Sequence, residues 1–286
     1  MNSRSKTYVV YDLETICDPD IERSEDERDR FPPPICHEIK AFSMATFVPE
    51  RVERETVFRI KSLGTAGGTE RENIEAYGAY LENIDFCQVG FNNVGFDNNV
   101  IFNRALKLGV SLPALFLKGN KYDGPLRRYG MNYNIDLCDA FSNYGASPKA
   151  SLAKFAQAVG LPAKLGVDGS QVAEMCAQGK IQEVKNYCEM DVLATGGLFL
   201  RFQRLRGILS GQGFRLSAQI FLDFIEQKVE EKPHLREFLD NVDLGRFFNA
   251  GCPSTSEEAY AATEVREQAS KIQSSSKVKL KLVEDL

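Results

Sequence analysis

The stretch YVVYDLETICDPD, residues 8–20, constrains this chain more than any other. It runs apolar from Tyr8 to Tyr11 and then sets two carboxylates, Asp12 and Glu14, one residue apart. β-Branched and aromatic residues dominate the run, so residues 7–13 read as a central strand. On a strand, residues i and i+2 point to one face about 6–7 Å apart. Asp12 and Glu14 therefore share a face at the strand's carboxyl end, where open α/β sheets keep their ligand crevices. Two carboxylates so close repel unless they are protonated or bridged, and divalent cations with oxygen ligands are the usual bridge. An isolated D-x-E is in itself only a pair of solvated acids, and Asp20-Ile21-Glu22 repeats the spacing a few residues on. The pair gains meaning from what else in the chain can meet it.

The rest of the chain supplies an α/β frame. Residues 18–34 are mostly charged and end in three prolines, the mark of an exposed loop. EIKAFSMATFVPERVERETVFRI alternates apolar and polar residues, which predicts two antiparallel strands turning at Pro49-Glu50. Glu70 to Ile84 has helical spacing, and CQVGFNN reads as a short strand running into a turn. The spacing predicts a helix from Asp97 to Leu108, stopped by Gly109, and further helices over Ser151–Val159 and Ile181–Leu205. Strands first, then helices alternating with strands, point to a mixed sheet flanked by helices. Residues 216–240 read as two helices broken at Pro233. Residues 253–276 lose periodicity, and the closing KVKLKLVEDL reads as a solvated tail or a paired strand.

Composition removes several function classes. At 286 residues, 43% hydrophobic and 26% charged, the chain has the make-up of an ordinary globular protein. Its apolar runs are far short of a membrane span, and MNSRSKTYVV lacks the apolar core of a signal peptide. The seven cysteines (Cys17, Cys36, Cys87, Cys138, Cys176, Cys188 and Cys252) never fall in C-x-x-C spacing. That usage suits a reducing, cytoplasmic compartment, with neither a zinc ribbon nor a disulfide framework. A net charge of −5 argues against a surface basic overall, yet an acidic site bridged by cations can coexist with a local basic patch.

Two later stretches bear on the acid pair. GFNNVGFD places Asp97 after Phe96 at a helix start, where an ordinary N-cap is the simplest reading. NYCEMDVLATGGL places Tyr187 and Asp191 four residues apart on a helix, so phenol and carboxylate share a face. Taken singly the spacing is common, since Tyr8 and Asp12 also satisfy it.

Order and context are specific. A D-x-E on the first strand, an N-x-x-x-F-D opening a mid-chain helix and a Y-x-x-x-D on a late helix resemble the three motifs of the DnaQ-like, ribonuclease H-like 3′–5′ exonucleases. With Tyr rather than His in the third motif, the resemblance is to the DEDDy branch. YDLET, VGFNNVGFD, DGSQV at 168–172 and VKNYCEMDVLAT are similar to the predicted exonucleases related to the proofreading domain of family B DNA polymerases. The resemblance covers roughly residues 7–205; the acidic loop at 18–34 and residues 211–286 lie outside it.

That resemblance implies a ribonuclease H-like α/β fold and a two-metal phosphodiesterase using two Mg²⁺ or Mn²⁺ ions. Asp12 would bridge the metals, Glu14 and Asp191 would complete one site, and Asp97 would support the other, partly through water. Tyr187 would orient the attacking water; neither His37 nor His234 lies in the third-motif helix. Leu13, Thr15, Asn92 and Phe96 match positions that contact the terminal nucleotide or shape its pocket, although Asn92 equally suits a turn. The implied substrate is a single-stranded 3′ end, DNA before RNA, yielding 5′-mononucleotides.

KGNKYDGPLRRYGMNY at 118–133 interleaves Lys118, Lys121, Arg127 and Arg128 with Tyr122, Tyr129 and Tyr133, a composition suited either to tracking a nucleic-acid strand or to a solvated loop. Arg201, Arg204 and Arg206 suit a solvated helix face. No polymerase motif follows, so a proofreading role would need a polymerase or repair complex in trans. Two other readings stay open: an RNA-trimming exoribonuclease, since the motifs do not read the 2′-hydroxyl, and a non-catalytic nucleic-acid-binding module. Residues 1–210 are expected to form the catalytic domain, 211–252 a helical extension docked on it, and 253–286 a flexible tail.

Overall fold

The computed structural model describes residues 5–25, 30–162 and 171–248 of the chain. The expected tail at 253–286 and the first part of DGSQV lie outside them. Five strands form one sheet: β1 (Thr7–Cys17), β2 (His37–Val52), β3 (Glu55–Thr65), β4 (Phe86–Gly90) and β5 (Asn134–Asp136). The spatial order is β3-β2-β1-β4-β5. β1 pairs antiparallel with β2, and β2 with β3, whereas β1–β4 and β4–β5 are parallel. This is the mixed sheet that the alternation of elements predicts, and it is the ribonuclease H-like arrangement that the resemblance implies.

The β2–β3 turn falls at Glu53-Arg54, not at Pro49-Glu50. Glu53 adopts φ 54°, the left-handed conformation a tight turn requires. Pro49 lies within β2 opposite Phe58, beyond the last β1 pairing at Tyr8 and Phe47, so its missing amide removes no bond to β1.

Ten α-helices flank the sheet among the described residues: α1 (Glu70–Glu82), α2 (Asp97–Leu108), α3 (Pro113–Phe116), α4 (Leu137–Phe141), α5 (Leu152–Ala158), α6 (Val172–Ala177), α7 (Ile181–Leu205), α8 (Gly211–Lys228), α9 (Leu235–Asp240) and α10 (Leu244–Phe248). α1 opens with a capping box between Thr69 and Glu72, and α2 closes at Gly109, whose φ of 66° suits glycine. No helix among the described residues is long and apolar enough to cross a membrane.

Strand alternation divides the core into two layers. Val9, Tyr11 and Leu13 pack with Ile74, Leu81, Val100 and Ile101 of α1 and α2. Val10, Phe47, Phe58 and Val89 face the other way, onto Val192, Leu193 and Phe199 of α7 and Phe221 of α8. α8 rests on the edge strand: Ser217 Oγ accepts the Phe58 amide at 2.9 Å, while Phe214, Phe221 and Ile225 are buried. At the exit of β1, Arg104 is buried between Asp18 and Glu70, and Lys107 also reaches Asp18. That cluster ties the start of the acidic loop to α1 and α2. The six described cysteines are free thiols.

Candidate active site

Tyr8 and Val10 point from β1 toward the α7 layer, and Asp12 and Glu14 continue that same face. The face meets α7 at the turn carrying Tyr187 and Asp191. Carboxylate oxygens of Asp12, Glu14 and Asp191 lie within 4.8 Å of one another. Asp97 is the first residue of α2, entering from the far side of the turn after β4. Its N-cap is Phe96, which makes no capping bond; the Asp97 carboxylate instead accepts the amides of Leu13 and of Asp97 itself. All four acids line one open cavity of about 350 Å³, together with Phe31, Phe91, Asn92, Gly95 and Phe96. The cavity sits beside β1 and beyond the carboxyl end of β4, as the crevice rule for parallel strands leads one to expect.

The electrostatics favour a cation there. Burial, and then the charges of Asp97, Asp191 and Glu14, push the Asp12 carboxyl well above the usual carboxylate range. Burial followed by Asp191 and Asp97 raises Glu14 to about 8. Asp97 rises to about 7, chiefly through burial with a contribution from Asp136, although its two amide donors pull the other way. Asp12, Glu14 and Asp97, crowded into one cleft beside Asp191, hold their protons until a positive charge replaces them. An all-oxygen donor set at this spacing suits hard divalent ions such as Mg²⁺ or Mn²⁺.

Tyr187 stands one turn before Asp191, bonds it, and shares with it a smaller cavity of about 80 Å³ lined also by Ser151, Leu152 and Ala194. Burial and the neighbouring Asp191, Glu14 and Asp12 charges keep its phenol protonated. The structure thus brings Tyr187 to the edge of the four-acid cavity rather than into its lining.

The expected nucleotide-contacting positions divide. Asn92 and Phe96 line the cavity. Leu13 reaches it only at the wall, because its side chain packs in the core with Ile39 and Phe42. Thr15 lies outside the lining of this cavity, and its hydroxyl contacts His37 Nδ1 at 2.9 Å.

Three further contributors escaped the sequence reading. Asp136, ending β5, accepts the amides of Asn92 and Val94 at 2.9 and 3.0 Å and so holds the turn that carries Asn92 and Phe96. Lys149 places its ammonium 3.2 Å from Asn92 Oδ1 and 3.0 Å from Asp139 Oδ1, beside the cavity. Phe31, from the acidic loop, is 76% exposed at the cavity mouth and packs against His37 and Phe96 at ring distances of 5.2 and 5.7 Å.

The 118–133 segment is less available than its composition suggests. Lys118 turns inward onto the carbonyls of Leu81 and Ile84 and over the Phe86 ring, and Arg128 pairs with Asp139. Arg201 and Arg206 lie over the rings of Phe214 and Phe202, and Arg204 bonds the Leu209 carbonyl.

Among solved structures, the chain is similar to a product-bound exonuclease I (14% identity, TM-score 0.35, covering 68% of this chain and 47% of that one). A zinc-bound E. coli ExoI–ssDNA complex matches at 17% identity and TM-score 0.33, over 67% and 43% of the two chains. The chain thus spans less than half the length of those proteins. No curated protein sequence matches it. A family model described as "predicted 3′-5′ exonuclease related to the exonuclease domain of PolB" matches residues 29–242, which include Asp97, Tyr187 and Asp191 and begin after Asp12 and Glu14. With most of its length matched, and the two β1 acids just outside the match facing the helix that carries Tyr187 and Asp191, the chain belongs to this family of predicted PolB-related 3′–5′ exonucleases.

Proposed function

We propose that the protein is a metal-dependent 3′–5′ exonuclease that removes 5′-mononucleotides from single-stranded DNA. One observation carries the reading: Asp12, Glu14, Asp97 and Asp191 line a single open cavity. Asp12, Glu14 and Asp191 would hold one divalent ion and Asp12 with Asp97 a second. Such ions, when bound, lower the pKa of a water and stabilise the leaving 3′ oxygen.

The chain's own groups do the remaining work. Tyr187, kept protonated and anchored to Asp191, presents a phenol that fixes the direction of an attacking water. The Asn92 side-chain amide nitrogen and the Lys149 ammonium beside it supply donors for a phosphate or terminal hydroxyl. Phe96 and Phe31 offer apolar faces at the mouth on which unpaired bases can stack. A protein of net charge −5 relies on cations and on Lys149 to draw a polyanion into an acidic cleft, so binding should depend strongly on divalent ions.

The test is a degradation assay on matched 5′-labelled DNA and RNA strands with Mg²⁺, with Mn²⁺ and with chelator. Stepwise shortening of single-stranded DNA from its 3′ end, abolished by chelator, is the expected result. Faster RNA shortening would reassign the substrate, and intact strands under every condition would leave only a binding module.

A further inference from the structure

Asp12, Ser43 and Thr65 stand side by side across three strands, because Asp12 pairs with Ser43 and Ser43 with Thr65. Residues so paired share a face of the sheet, and two consecutive residues of α7 close over this row. The Cys188 thiol lies 3.3 Å from the Asp12 carbonyl oxygen and 3.7 Å from Asp12 Oδ2, with Ser43 against the same thiol. Glu189 accepts the Thr65 hydroxyl at 2.9 Å, and the Ser43 and Thr65 hydroxyls are 2.6 Å apart. Beyond Glu189 stand two cationic or ionisable groups from the segment joining α8 to α9. Lys232 Nζ is 2.5 Å from Oε1, and His234 Nε2 is 2.9 Å from Oε2.

The proton directions from Ser43 to Glu189 follow from the Glu189 charge. A carboxylate only accepts, so Thr65 commits its single proton to Glu189. The Ser43–Thr65 contact must then take its proton from Ser43. Ser43 thus turns lone pairs, not a proton, toward Cys188, so the single thiol proton is shared between the Ser43 oxygen and the Asp12 oxygens, and what Ser43 takes Asp12 loses. Glu189 is only 2% exposed, and Ser43 is fully buried, so water cannot readily substitute for a lost member.

We propose that Glu189, clamped by Lys232 and His234, is a positioning residue for the Asp12 carboxylate, acting through Thr65, Ser43 and Cys188. The segment between α8 and α9, remote in sequence from the cavity, thereby tunes the affinity of the acid cluster for its cation. The inference rests on the reading that Asp12 holds a divalent ion. It assigns work to three polar residues, Ser43, Thr65 and Glu189, that do not line the cavity. Partners that orient a ligating carboxylate commonly influence metal affinity by tenfold or more.

The experiment is Mn²⁺ binding to the full-length protein without nucleic acid, read by calorimetry and by the loss of free-Mn²⁺ resonance. Glu189→Gln, whose amide can donate to Thr65 and so reverse the chain, should weaken binding about tenfold, as should Cys188→Ala. The double variant should be no weaker than the poorer single, since both cut one chain. Thr65→Val breaks the chain without removing a charge and should show the same loss if Glu189→Gln fails to fold. Cys188→Ser, which retains a donor, should recover most of it. Variants that melt at lower temperature while binding Mn²⁺ like the wild type would overturn the proposal and leave Glu189 a mere brace for α7. Additive losses would overturn it as well. A wild-type protein that binds no Mn²⁺ would instead overturn the metal reading itself, and this inference with it.

Discussion

The amide of Asn92 donates to Oδ1 of Asp136 across 2.9 Å, joining the end of β5 to the turn that follows β4. The same carboxylate takes the Val94 amide on its other oxygen at 3.0 Å. Asn92 adopts φ 67°, a left-handed conformation that Asn tolerates better than most residues. A strained turn held by one acid from a neighbouring strand sets where Phe96 and Asp97 begin α2.

Asp136→Ala should therefore impair the site without touching a proposed metal ligand. Each amide left unsatisfied costs about 1–3 kcal/mol where water cannot reach it. The oligonucleotide KM should rise and kcat should fall, while Asp136→Asn, which keeps one acceptor oxygen, should lie between. Steady-state kinetics on a labelled strand, with a melting curve as control, check this. Wild-type kinetics for Asp136→Ala would show that the turn keeps its shape unaided.

The acids themselves should separate by role. Asp12→Ala should abolish turnover, Asp191→Ala should nearly do so, and Asp12→Asn should not recover more than a small fraction, since metal stabilisation is worth several kcal/mol. Tyr187→Phe keeps the ring and removes only the hydroxyl. Its rate should fall by about 10²-fold or less, the low end for an orienting or proton-handling group, with little change in Mn²⁺ midpoint. A larger shift in the metal midpoint than in the rate would make Tyr187 part of the metal site.

How much of this was legible follows from the range of each signal. Asp12 with Glu14, and Tyr187 with Asp191, are spaced by the strand and helix periods, so short-range periodicity places each pair on one face. Their meeting needed only the ordering of strand and late helix in a known fold. Asp136 and Lys149 reach Asn92 from 44 and 57 residues away, through a three-residue strand and a loop that carry no periodic signal. Phe31 sits in a charged, proline-ended segment whose composition says only that it is exposed. Lys118 illustrates the converse: a basic residue in a basic-aromatic run, yet its ammonium satisfies carbonyls at the end of α1. Local pattern cannot tell a free cation from a helix cap.

The acid cluster gives the metal-free protein an inverted pH response. Glu14 at about 8 and Asp97 at about 7 lie above the unfolded values near 4. Between roughly pH 4 and 8 the native state holds protons that the unfolded chain has released, so these groups make stability fall as pH rises. Chelator-treated protein should melt higher near pH 5.5 than near pH 8.5. Mn²⁺ at about a hundredfold excess over its Kd should add about 2.7 kcal/mol at the higher pH. A chelator-treated protein more stable near pH 8.5, and indifferent to Mn²⁺, would contradict the crowding of acids.

Phe31 provides an optical test, because the chain has no Trp. Phe31→Trp puts a single indole at the cavity mouth, next to Phe96 and His37. Single-stranded oligonucleotide added with Ca²⁺ should quench its emission saturably, since base–aromatic stacking contributes about 1–3 kcal/mol. A 3′-phosphorylated strand should quench less. Emission unchanged by a strand that demonstrably binds would place the bases elsewhere.

The helical segment after residue 210 should behave as part of the core. Phe221 is fully buried against Phe47, at a ring distance of 6.0 Å, and Phe214 and Phe238 are 1% exposed. Truncating such a ring to Ala typically costs about 3–5 kcal/mol. Ser217 Oγ satisfies the outward amide of Phe58 on β3, an edge strand that α8 covers, and donates to the Gly213 carbonyl at 2.6 Å. Ser217→Ala should cost about 1–3 kcal/mol by leaving the Phe58 amide buried and unpaired. Ending the chain after residue 210 removes both contacts at once and bares Phe47, Phe58 and Phe199, so the product should aggregate or melt far below the intact protein. Urea unfolding of Phe221→Ala and Ser217→Ala and light scattering of the truncated chain measure this. A chain ending at 210 that stays soluble and melts like the full-length protein would mean that α8 to α10 cover a surface able to stand alone, and that their apolar face serves a different contact.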